Sequence, residues 1–120
     1  MLSLETRQRG EIVIVHCQGR IVYREEANAL SSVVGELLQD GGKVILDLSG
    51  VSVIDSAGIG ELVLLHRRAE ERKVELKYAN PRPYVRDLFH LTQVGSFLEI
   101  HPSLGEALAA FQPRALCAEC

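Results

Sequence analysis

The chain has no tryptophan, and three tyrosines and three phenylalanines are its only aromatics, 5% of 120 residues. A surface for stacking bases is therefore not expected. It has no basic block: 13 lysines and arginines stand against 16 aspartates and glutamates, a formal net charge of -3. That balance argues against nucleic-acid binding through phosphate neutralisation. No apolar run approaches the ~18 residues of a membrane span. The first ten residues, MLSLETRQRG, carry charge where a signal peptide needs an apolar stretch, so a cytoplasmic location is expected. Cysteine is scarce, and the odd set Cys17, Cys117 and Cys120 fits reduced thiols better than a disulfide framework. Cys117 and Cys120 have C-x-x-C spacing, but they lie beyond Pro113 with no helix start to activate them and no nearby His to complete a zinc site. Residues 113–120 are expected to be a flexible tail, and 1–112 a single domain.

What is present is an alternation of strand-like and helix-like segments. Leu2 to Arg7 alternates like an edge strand, and Gly10 turns it into Glu11 to Gln18, whose Ile12, Val13, Ile14 and Val15 suit a strand buried on both faces. Gly19 is expected to break that strand. Glu25 to Gln39 is a helix candidate, with Ala27, Leu30, Val33, Val34, Leu37 and Leu38 at helical spacing and Asp40-Gly41-Gly42 as its stop. Val44 to Leu48 is a second buried strand. A helix over Ala57 to Arg72 follows, with Ile59, Leu62, Val63, His66 and Ala69 inward, then a third strand from Val74 to Tyr78. Asn80-Pro81-Arg82-Pro83 turns into a helix whose stripe is Tyr84, Val85, Leu88 and Phe89. Phe97 to Ile100 is expected as a short strand, and Pro102-Ser103 opens a last helix with Leu104, Ala107, Leu108 and Phe111 inward. The order β-β-α-β-α-β-α-β-α predicts an α/β fold: a small mixed sheet with about four helices packed mainly on one face, its central strands parallel neighbours.

The chemistry concentrates at Asp55-Ser56-Ala57-Gly58-Ile59-Gly60, where the second buried strand feeds a helix start. A nucleophile elbow would need glycine two residues before Ser56, where Ile54 stands, and none of His16, His66, His90 and His101 forms a recognisable motif with it. His66, on the apolar stripe, reads as a satisfied core histidine. Gly58-Ile59-Gly60 lacks the third glycine of a dinucleotide fingerprint and the Gly-Lys-Ser/Thr of a P-loop. Neither an enzyme nor a bound cofactor is expected. Two readings of Ser56 remain. Asp and Ser are both favoured N-caps, worth ~1 kcal/mol. Alternatively, Ser56 is a phosphate acceptor: a helix N-terminus tolerates the added charge of roughly -1.5 to -2, and Ala57, Gly58 and Gly60 leave the hydroxyl approachable.

The segment Ser49 to Gly60, SGVSVIDSAGIG, resembles the signature of anti-sigma factor antagonists of the STAS superfamily. The strand before Gly19, the helix-strand-helix centre and RPYVRDLFHL over Arg82 to Leu91 fall in the family's order, so the resemblance covers essentially the whole chain. It implies the STAS fold. It also implies a protein that binds a cognate anti-sigma factor, itself a GHKL-type serine kinase, and so releases a sigma factor. The kinase would phosphorylate Ser56, the added charge would break the complex, and a serine phosphatase would reset it. ATP would bind the kinase. Asp55, Ser56, Ala57, Gly58, Ile59 and Gly60, with Arg20 and Tyr23, would form the partner face. There are two departures from the family's pattern. Gly19-Arg20-Ile21-Val22 carries Arg20 and Val22 where the family has two acids, and Thr92-Gln93-Val94-Gly95 has one more residue before its glycine. The first leaves an alternative: a STAS scaffold or docking subunit, of a stress-signalling complex or a lipid-transport ATPase, that uses the same face without a phosphate cycle.

Overall fold

β-branched runs and helical stripes fold into the expected order in a computed structural model. It describes residues 2–37, 42–96 and 98–111, apart from the side chains of Tyr23, Arg24 and Ser96. Strand β1 (Leu2–Arg9) turns at Gly10 into β2 (Ile12–Ile21), and α1 (Tyr23–Leu37) follows. Strand β3 (Gly42–Ile54) feeds α2 (Ser56–Glu71), and β4 (Val74–Ala79) feeds α3 (Pro83–Leu91). A 3-10 turn (Val94–Ser96), β5 (Ile100–His101) and α4 (Leu104–Ala109) complete the chain. The strands form one sheet in the order β1-β2-β3-β4-β5. β1 is antiparallel to β2, and every other pair is parallel.

Alternation along the strands builds two cores. Val15, Cys17, Val44, Leu46, Leu48, Leu76 and Tyr78 face one side, under Leu30 and Val34 of α1, Leu62 and Leu65 of α2, and Val85 and Phe89 of α3. Ile14, Ile45 and Ala79 face the other side, covered by Ala107 of α4 and by Phe111. Three helices thus share one face and α4 alone closes the second, matching the mixed sheet expected. Lys77, on the α4 side, is buried but not unpaired: it bonds Glu99 and lies 4.6 Å from the centre of the Phe111 ring. Buried Asp47 is likewise satisfied, accepting from Ser49 N at 3.0 Å and meeting His16 Nδ1 at 2.7 Å.

Several local expectations are corrected. Gly19 does not end β2; with φ +112 it accommodates an irregularity in pairing, and the strand runs on to Ile21. β3 correspondingly continues past Leu48 to Ile54, with Val51 and Ile54 buried, because the shifted register keeps them on the core side. At Gly50 a Cβ would lie 2.7 Å from the Cys17 carbonyl, so the strands approach there only because the residue is glycine. α1 begins at Tyr23 rather than Glu25, its entry held by Glu26, which accepts from Val22 N at 3.1 Å. Leu65, absent from the expected stripe of α2, is fully buried, while Val63 and His66 are half-buried at its edge. Tyr84, expected inward, is 56% exposed, because α3 turns Val85 and Phe89 to the sheet instead. β5 spans only Ile100–His101. Phe97, the Asp40-Gly41 stop, Pro113, Cys117 and Cys120 lie outside the described residues.

Candidate functional site

At the end of β3 the chain leaves the sheet through Asp55, whose φ of -111° and ψ of -174° are those of an extended N-cap. Its backbone N–H donates to the Ile21 carbonyl at 3.3 Å, tying the start of α2 to the end of β2. Its side chain accepts from Gly58 N at 3.0 Å. The cap is therefore the aspartate's, and the Ser56 hydroxyl is left out of that role. A Cβ on Gly58 would lie 2.4 Å from the Ile21 carbonyl oxygen, so glycine there is what lets α2 start against β2. On Gly60 a Cβ would meet nothing within 4 Å, so no packing demand explains that glycine.

Ser56 is exposed on the first turn of α2. It lies in an open groove of about 440 Å3 between α1 and α2, with Ala57, Gly60, Glu61 and Leu64 beside it and Ala27 and Asn28 opposite. Leu64 is 51% exposed, an apolar spot on an otherwise polar helix face. Of the six motif residues, Ser56, Ala57 and Gly60 reach the groove. Asp55 caps beneath it, and Gly58 and Ile59 are buried. Arg20 is exposed at the end of β2, next to Ile21, but does not line the groove. Tyr23 opens α1, and its side chain lies outside the described set. Asn28, Glu61 and Leu64 were not singled out from the sequence, and Ala27 was read only as part of the apolar stripe of α1. Leu64 carried a signal, as a leucine outside the expected inward stripe, but which stretch of α1 faces α2 is a tertiary fact.

The four histidines and Cys17 lie elsewhere. No histidine lines the Ser56 groove, which leaves the hydroxyl without a side-chain base of that kind. Cys17 is buried, and desolvation, with the Asp47 carboxylate adding to it, pushes its thiol up to about 12. It is a core residue and not a reactive thiol. His66 departs from the satisfied histidine expected: Nε2 lies 3.4 Å from Glu70, but Nδ1 is buried without a hydrogen-bond partner. Among the described residues no three His, Cys, Asp or Glu side chains are grouped to hold a metal ion, and no helix is long and apolar enough to cross a membrane.

With this geometry in view, the family model for the STAS domain matches residues 3–107. The chain belongs to the STAS domain family. This STAS domain is 26% identical over 108 residues to "Putative anti-sigma factor antagonist BtrV" of Bordetella bronchiseptica, covering 89% of this chain and 93% of that protein. It is 32% identical over 89 residues to "Probable sulfate transporter 3.4" of Arabidopsis thaliana, covering 72% of this chain but only 13% of the transporter's length. In three dimensions it is similar to an anti-sigma factor antagonist from Mycobacterium paratuberculosis, with a TM-score of 0.82. That match covers 92% and 93% of the two chains at 22% identity, a likeness of fold.

Proposed function

We propose that this STAS domain is an anti-sigma factor antagonist that docks a cognate anti-sigma factor on the α1–α2 groove and is switched by phosphorylation of Ser56. The observation that carries the reading is an exposed hydroxyl, freed from capping by Asp55, at the mouth of a groove bearing one exposed leucine. Bare Ala57 and Gly60 let a partner's backbone come close, and Leu64 gives it an apolar anchor. The partner is a GHKL-type serine kinase. Ser56 Oγ attacks the γ-phosphorus of the kinase's ATP; the new O–P bond replaces the bond to the β-phosphate oxygen. ADP leaves, and the hydroxyl proton passes to a base on the kinase.

Phosphorylation puts roughly -1.5 to -2 charges beside Glu61 and Asp55. The groove then repels an acidic partner surface, and burying it costs the desolvation of a dianion. A phosphatase restores the hydroxyl. Mass spectrometry after incubation with the cognate kinase and ATP tests this: one phosphate on Ser56 is expected, and a site elsewhere, or none, contradicts it.

The two replaced acids support a second reading. Arg20 is exposed and Val22 buried at the end of β2, so this corner carries a cation and an apolar residue in place of two carboxylates. A scaffold or transporter-docking subunit would use the groove without a phosphate cycle. Stable complex formation that persists in Ser56→Asp would favour it.

A further inference from the structure

The parallel strands β4 and β5 end beside a second cavity, walled on one side by α3 and sharing no residue with the Ser56 groove. Its volume is about 470 Å3, within the ~300–1,000 Å3 of small-ligand pockets. The wall divides chemically. Phe89, Ile100 and three prolines give an apolar lining of little flexibility, while Arg86, His90, His101 and Asn80 bring polar side chains to it. Among the described residues no aspartate or glutamate lines it, although acids outnumber bases in the chain as a whole. Glu99, one residue from Ile100, is already engaged by Lys77 and by His101 Nε2 at 2.9 Å. That contact orients the His101 ring, as a carboxylate orients a histidine in many binding sites.

We propose that this cavity binds a small molecule made of an anionic head, a phosphate monoester or carboxylate, on a compact apolar body. Arg86 pairs the head with its planar fork, His90 and His101 supply further hydrogen bonds, and the body lies against Phe89 and Ile100. The inference is independent of the Ser56 switch.

An NMR titration of the full chain tests it, with phenyl phosphate and phenylacetate as probes and benzyl alcohol and inorganic phosphate as partial probes. Saturable amide shifts at Gly95, His101 and Arg86 are expected with the first two, and the tighter of them identifies the head group. Arg86→Gln should weaken binding roughly tenfold, the loss of one charge-assisted contact. His90→Gln should weaken it less, and Ser56→Ala should leave it unchanged. Benzyl alcohol binding as tightly as the anions would overturn the charge argument, and inorganic phosphate matching phenyl phosphate would overturn the apolar one. An unchanged affinity in Arg86→Gln, or shifts confined to the Ser56 groove, would overturn the site.

Discussion

At the scale of single residues, the two glycines of the motif serve different ends, and substitution separates them. Gly58 is structural: an added methyl would stand 2.4 Å from the Ile21 carbonyl oxygen, which is backbone and cannot swing away. Gly58→Ala should cost roughly 3 kcal/mol, the upper range of overpacking, read as a lower midpoint in urea unfolding. Gly60 has open space where a Cβ would go and lies inside a helix. Gly60→Ala should therefore stabilise the fold by about 1 kcal/mol. Because Gly60 lines the groove, the same change should weaken partner binding. A variant both more stable and equally tight would remove Gly60 from the interface. From the sequence the two glycines were indistinguishable, since their difference lies in what the end of β2 brings to α2. The capping pair is a similar case. Asp55 and Ser56 both qualify by residue type, and only the contact from Asp55 to Gly58 N decides between them.

At the scale of elements, strands and helices were legible where their pattern is local. The β-branched run of β2, the stripe of α1 and the strand-to-helix step at Asp55 could all be read from spacing. The far half of β3 could not, because residues 49–54 stay in the sheet through register shifts against β2 that alternation does not encode. The end of α2 carries a local conflict: Arg72 is the C-cap and Lys73 follows with φ +60, a left-handed conformation that favours glycine. Lys73→Gly should raise stability by about 1 kcal/mol, measured by thermal unfolding; no gain would mean the side chain has offsetting contacts. The β4–β5 edge has its own signature. Burial disfavours the Glu99 charge, but hydrogen bonds from Lys77 and His101 outweigh it and hold the carboxyl below its usual range. A lowered folded-state pKa contributes stability above the ordinary value of about 4.3, which is lost as pH falls through the folded value. Acid unfolding of Glu99→Gln should therefore be less steep below about pH 4, and an unchanged profile would argue that the pair contributes nothing there.

At the scale of the whole molecule, one sheet carries two unlike surfaces at the carboxyl ends of its parallel strands. The Ser56 groove lies between α1 and α2, and the Arg86 cavity lies beyond α3. The family was legible because a short motif and the element order agree along the chain, whereas of the groove only Ser56, Ala57 and Gly60 could be read from the motif. The cavity was not legible: Arg86 and His90 stand one turn apart on α3, but the sequence does not show that β5 brings His101 beside them. The central claim concerns the groove: an anionic charge at Ser56 ends partner binding and loss of the hydroxyl does not. The direct measurement is the affinity of the wild-type chain, Ser56→Ala and Ser56→Asp for the cognate anti-sigma factor. Ser56→Ala should bind like wild type and Ser56→Asp at least about tenfold more weakly, the scale of one unfavourable charge in an interface. Equal affinity of Ser56→Ala and Ser56→Asp would contradict the switch.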